Sequence, residues 1–184
     1  YIDFDNQNTK TEGGFSKVYM ALSRLQHLGG KLSTFISLSG QLASKNLDSS
    51  QKFYLGGPFS VPGYPTGQVS GDDGALLHLD LRRDFYTQPW GGIFQASIFY
   101  AYGWARLFKD PWPGWEGANP IITSDVTLQS IGVGFNQNWL QGIVLRGMLG
   151  WQVGEDNTSD PVTGNAIDQS DEDYRGWLQG IYYF

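Results

Sequence analysis

Four groups of residues in this 184-residue chain have the types and spacing from which a site is built. Asp72 and Asp73 stand together in Ser70-Gly71-Asp72-Asp73-Gly74, and paired carboxylates are the oxygen donors a hard cation requires. His78, Asp80, Arg82 and Asp84 recur at spacing two, which on a strand puts both signs of charge on one face. Seven acids crowd 155–173, namely Glu155, Asp156, Asp160, Asp168, Asp171, Glu172 and Asp173. Trp112 and Trp115 alternate with Pro111 and Pro113, flat surfaces of the kind that stack on a sugar ring.

Each group also has a plainer reading, and the plainer one is preferred. Two acids in a glycine turn are expected to be solvated. The acidic stretch lacks the Asp-x-Asp-x-Asp-Gly spacing of a calcium loop and reads as a solvated loop. The Trp-Pro segment reads as a loop packed on itself, and the charges at 78–84 as the polar side of a strand. No metal or other cofactor is therefore expected. No nucleophile, base and orienting group occur as a set, and no glycine-rich loop opens a helix, so no catalytic residues are assigned and an enzyme is not expected. The chain has no Cys, which removes thiolate zinc sites, disulfides and thiol chemistry. Its two His, at 27 and 78, form no metal-binding pair. A net charge of −6 argues against a nucleic-acid partner.

The elements that position these groups are strands. Helical periodicity is weak and alternation at period two recurs. Leu32, Ile36, Leu38 and Leu42 share one face of 32–42; Ser33, Phe35, Ser37, Ser39 and Gln41 share the other. Leu77, Leu79 and Leu81 alternate with His78, Asp80 and Arg82, while Ile143, Leu145, Leu149 and Trp151 face away from Arg146, Gly150 and Gln152. Strands are predicted at 15–26, 32–42, 75–85, 92–104, 126–136, 139–153 and 174–184, with a stub at 1–5.

Their length argues against a soluble sandwich, whose strands average about 5–6 residues. Twelve residues at about 3.3 Å each and a tilt near 45° rise roughly 28 Å, close to a bilayer's hydrocarbon core. Short links near 27–30, 86–91 and 137–138 alternate with long ones at about 44–73, 105–124 and 154–172. Transmembrane β-barrels alternate in this way, with tight periplasmic turns and long extracellular loops. Charged residues are only 16% of the chain and aromatic residues 15%, which suits a sheet whose outer face is not wetted. No apolar run is long enough for a transmembrane helix. Trp90, Trp139, Trp151 and Trp177 lie near strand ends, as an interfacial girdle requires. Phe184 ends the chain with Tyr182 and Leu178 on its face, the usual closing strand of an outer-membrane barrel. The phase of the loops then puts the carboxy terminus in the periplasm. The first residues, Tyr1-Ile2-Asp3-Phe4-Asp5, read as mid-strand, so the chain is expected to be a fragment. The expected fold is an all-β antiparallel transmembrane barrel, of which 1–184 forms the carboxy-terminal half. Such a half leaves two unpaired edges that favour association.

The most informative stretch is 46–74. A loop of this size is functional or disordered, and Phe53, Tyr54, Leu55, Phe59, Val61 and Tyr64 make it too apolar for disorder. It is expected to fold back and pack in the lumen, so 44–74 is treated as a long lumenal loop. Gly56, Gly57, Val61, Gly63, Tyr64, Pro65, Gly71, Asp72 and Gly74 lie where a characteristic pattern has them: Gly-Gly, then Val-Arg-Gly-Tyr or Val-Arg-Ala-Tyr-Pro, then Gly-Asp-x-Gly. In these residues, and in Gly13-Gly14-Phe15-Ser16-Lys17, the chain resembles the TpsB transporters of two-partner secretion, the haemolysin secretion/activation proteins of the ShlB, FhaC and HecB type.

The resemblance implies a 16-stranded barrel in the outer membrane of a Gram-negative bacterium, preceded by two POTRA domains and a plug helix, of which this chain supplies about the last eight strands. It implies translocation and activation of a secreted partner protein such as a haemolysin or adhesin, without ATP. Outer-membrane lipid and lipopolysaccharide would be the surrounding partners, and no cofactor is implied. Two positions depart from the pattern. The family's Arg is Pro62, and the Asp it meets in Phe-x-Asp-x-Gly is Ala101 within Phe99-Tyr100-Ala101-Tyr102-Gly103. Losing both ends of an ion pair is far cheaper than losing one, so the loop is expected to be held instead by aromatic and proline packing. The alternatives are a passive outer-membrane pore or structural barrel and, further off, a soluble carbohydrate-binding module.

Overall fold

The computed structural model describes residues 10–86, 92–115, 124–139, 142–154 and 172–184. Strands β1 (Lys17–Gly29) and β2 (Leu32–Ala43) are followed by two short strands, β3 (Phe53–Leu55) and β4 (Val69–Gly71). Five long strands complete the set: β5 (Asp73–Tyr86), β6 (Ile93–Arg106), β7 (Asp125–Asn138), β8 (Ile143–Gln152) and β9 (Tyr174–Tyr182). The seven long strands form one antiparallel sheet in chain order, β1-β2-β5-β6-β7-β8-β9, while β3 and β4 pair with each other. The predicted stub at 1–5 and Trp90 lie outside the described residues.

The period-two pattern sets the register because a slip of one residue would turn every side chain to the wrong face. Leu22, Leu38, Leu77 and Tyr102 are successive partners across four strands, on the outer face. One residue away, Ser37, His78, Ala101, Ser130 and Gln152 form an unbroken row on the inner face. The outer face keeps its large apolar side chains uncovered, with Leu22 74% and Leu178 73% exposed. An apolar surface that extensive needs a covering phase other than water.

Glycines close two of the tight links between strands. Gly29 and Gly30 take φ of 109° and 60° between β1 and β2. Between β7 and β8, Gly142 takes φ of 79° and donates its N–H to Trp139 O at 3.2 Å. Strand β8 therefore begins at Ile143 and not at the predicted 139, because Trp139 belongs to the turn. The long connections, 44–72, 107–124 and 153–173, all leave the opposite end of the sheet. The core lies between the inner face and the first of these connections: Phe53, Leu55, Val61, Tyr64 and Val69 of the connection against Ala101, Ala105, Val126 and Leu128 of β6 and β7.

Candidate functional site

Residues 44–72 fold back across the inner face, as their apolar content predicts, and the site has a root, a middle and a tip. At the root Asp48 caps a short 3-10 turn, Ser49–Gln51, by accepting the Ser50 N–H at 3.0 Å. That backbone bond, backed by the Ser50 hydroxyl, holds its carboxyl below the usual carboxylate range. Next to this turn sits a buried cluster of charges. Asp72 Oδ1 meets Lys52 Nζ and the Leu47 N–H, both at 3.1 Å, while Oδ2 accepts the Lys109 N–H at 2.8 Å. Asp73 accepts the Ala43 N–H at 2.8 Å on Oδ1 and pairs with Lys109 Nζ at 2.8 Å through Oδ2. Neither acid is more than 2% exposed.

The expectation of a solvated acidic turn is thus corrected. Gly71 and Gly74 flank backbone and ring atoms so closely that the turn is pressed into the protein. A Cβ at 71 would stand 2.6 Å from Arg106 O, and one at 74 would stand 2.3 Å from the Phe53 ring. Carboxylates buried there need donors on every side. Five protein groups supply them, from the end of β2, the 44–52 stretch and the 107–110 connection. Asn46 extends the joint, accepting the Asp110 N–H at 2.7 Å and donating to Asp110 O at 2.9 Å. Beyond it, Phe108 takes Trp112 and Trp115 edge-on at 4.9 and 5.6 Å between ring centroids, so the described part of this loop, up to Trp115, packs on itself.

In the middle, Gly56 and Gly57 turn the chain with φ of 98° and 90°, and Gly57 donates to Tyr64 O at 3.0 Å. This closes a loop whose Val61 and Tyr64 are fully buried, whereas Phe59 stays 85% exposed. Pro65 stands directly over Gly56, where any Cβ would be 2.2 Å from its carbonyl oxygen. Gly103 and Ala101 supply room beneath: a Cβ at 103 would lie 2.9–3.0 Å from Leu55 and Val61 side-chain carbons. Ala101, where the related pattern has an acid, is part of this apolar cluster and is fully buried. Phe99 instead lies over Gly132 with its ring stacked on His78 at 5.6 Å.

The tip, Pro62-Gly63, crosses β6 and β7 and rests on β8 and β9. A Cβ at Gly150 would stand 2.8 Å from the Gly63 nitrogen and 2.9 Å from the Pro62 carbonyl carbon. Gln152 Nε2 donates to Gly63 O at 3.0 Å, and Trp177 Nε1 donates to Pro62 O at 3.1 Å. Trp177 therefore points inward from the middle of β9 and is not an interfacial residue. Ser130, fully buried beneath Gly63, has a hydroxyl with no partner among the described residues. The expectation of pure packing is corrected in part, since packing holds the middle but hydrogen bonds and ion pairs hold both ends.

The charges at spacing two share the same inner face. Asp80 Oδ2 lies 2.6 Å from the Arg82 guanidinium and 3.4 Å from His78 Nε2, while Asp84 accepts from Gln95 at 2.7 Å. His78, Asp80, Arg82 and Gln95, with Phe59 and Arg146, line a cavity of about 440 Å³ beside the folded segment. Tyr182 and Phe184 lie far from this site at the open end of β9, their rings 6.3 Å apart and both exposed. Sequence reasoning missed Lys52, Lys109, Asn46, Gln152 and Trp177 as parts of the site. The one available signal was the acidic pair itself, whose burial would demand nearby cations.

A long-stranded antiparallel sheet with an apolar outer face and a long segment packed on its inner face defines the class: an all-β antiparallel fold with an insertion against one face. The family model for haemolysin secretion/activation protein ShlB/FhaC/HecB matches residues 4–111, and the chain belongs to that family. It is 29% identical over 132 residues to the heme/hemopexin transporter protein HuxB of Haemophilus influenzae strain 86-028NP, covering 71% of this chain. A second HuxB sequence from Haemophilus influenzae is 30% identical over 132 residues. The chain spans only 22% of the length of these transporters. Among solved structures, CdiB from Acinetobacter baumannii has the same fold, with a TM-score of 0.58 at 16% identity over 92% of this chain and 27% of CdiB.

Proposed function

We propose that this chain is the carboxy-terminal part of a 16-stranded outer-membrane barrel that translocates, and thereby activates, a secreted partner protein in a Gram-negative bacterium. The observation that carries this reading is the 44–72 segment, lodged against a face lined by Ser33, Ser37, Gln41, His78, Arg82 and Arg146. A barrel built only to be a wall has no need of a buried polar joint and a docked tip inside it. An extended polypeptide exposes backbone donors and acceptors, and a polar inner face satisfies them in passing. The outer face, with Leu22, Leu38, Ile98 and Leu178 exposed, is matched to lipid. The work is binding and passage, with no bond-breaking step for a side chain to catalyse.

The test is partner secretion by the full-length protein in a Gram-negative host lacking its own transporter. Export of the cognate exoprotein is expected, and its loss is expected when 53–69 is replaced by a short glycine-serine link. Ion conductance without export would favour a passive pore. A full-length protein that stays monomeric in buffer without detergent would end the membrane reading altogether.

A further inference from the structure

The tip is held by atoms that do not depend on its side chains. Pro62 and Gly63 each present a backbone carbonyl, and the two donors that reach them, Trp177 Nε1 and Gln152 Nε2, project from adjacent strands. Gly150 makes the approach feasible, because even a methyl group there would stand under 3 Å from the tip's backbone. Gln152 occupies the same inward row as Ala101, two strands further along. We propose, building on the reading above, that Trp177 and Gln152 are the positioning residues of the lumenal segment: they fix its tip by two carbonyl oxygens, so position 62 carries no charged anchor of its own. Carbonyl recognition explains how a proline occupies 62 with Ala101 below and no ion pair between them. Any residue at 62 has the same carbonyl, whereas only a glycine fits at 150.

Ser130 offers the means of measurement, because its side chain lies fully buried beneath Gly63 and its hydroxyl makes no bond among the described residues that a thiol would break. In the full-length protein, with any cysteine outside these 184 residues replaced by serine, Ser130→Cys is labelled by a water-soluble maleimide only when the tip lifts. Each lost neutral hydrogen bond shifts that equilibrium about fivefold, within a range of about two- to twelvefold. Trp177→Phe and Gln152→Met are each expected to raise the labelling rate by about that factor, and the pair by about the square of it. Pro62→Ala is expected to change it less than threefold. A second thiol, Ala43→Cys at the root, keeps its rate in every variant. No rise at 130 in the double variant overturns the proposal. An equal rise at both thiols also overturns it, since that marks general loosening and not loss of a latch. If the latch behaves as stated but the parent protein exports no partner, the transport reading fails and the assignment of Trp177 and Gln152 stands.

Discussion

The two ends of the 44–72 segment are fixed by opposite chemistry. At the root, two carboxylates no more than 2% exposed are surrounded by Lys52, Lys109 and the N–H groups of Ala43, Leu47 and Lys109. At the tip, two neutral donors meet two carbonyls over a glycine. Removing one member of a buried charge network strands the rest, at about 3–5 kcal/mol, whereas a neutral hydrogen bond contributes only about 0.5–1.5 kcal/mol net. The root is therefore a fixed joint, and it ties the segment to the 107–110 connection through Lys109 and Asp110. The tip is the end with the smaller barrier to release. That asymmetry fits the transport function proposed above, in which the segment stays attached yet yields to a passing polypeptide.

The largest effect should come from Asp72→Ala. It leaves Lys52, whose side chain is only 10% exposed, without its carboxylate and strips two N–H groups of their acceptor. A loss of about 3–5 kcal/mol in root anchoring is expected, read as protease cleavage within 44–52 of the detergent-solubilised full-length protein. Cleavage no faster than for an exposed control such as Asp48→Ala would break the comparison. Next comes crowding at the tip. Gly150→Ala and Pro62→Arg each force volume into a filled site, at about 1–3 kcal/mol. Both should lift the tip while the root stays protected, so faster cleavage near 63 without cleavage near 47 is the expected pattern. Cleavage at both places would mean that the segment moves as one piece.

The fold was legible because an apolar outer face and a polar inner one force a period of two, and Leu32, Leu38, Leu77 and Leu149 show it without interruption. The packed segment was legible too, since Phe53, Leu55, Val61 and Tyr64 are too apolar to be left in water. The joint at its root was not. Asp73 meets Lys109 across 36 residues of chain, and nothing local to either announces the other. The tip donors lie further still, 89 and 115 residues from their acceptors. Trp177 misled for a physical reason: an indole suits a membrane interface and a buried carbonyl equally well. Only the register of β9, which pairs Trp177 with Met148 on the inner face, separates the two.

The smallest effect is expected at Ser130, and it sharpens the comparison most. Ser130 is as fully buried as Asp72, so burial alone predicts equal penalties for replacing either. Their partners differ. Asp72 accepts two backbone N–H groups and pairs with a lysine, while the Ser130 hydroxyl has no partner among the described residues. A desolvated hydroxyl without a bond is a cost the folded protein bears, so deleting it returns that cost against the small void left by one oxygen. Ser130→Ala should therefore change tip release by less than about 0.5 kcal/mol, with any shift toward tighter docking. The measurement is cleavage near 63 under the conditions used for Asp72→Ala. A loss above about 1 kcal/mol would show that the hydroxyl serves the tip after all, and the contrast between a bonded root and a carbonyl-held tip would have to be redrawn.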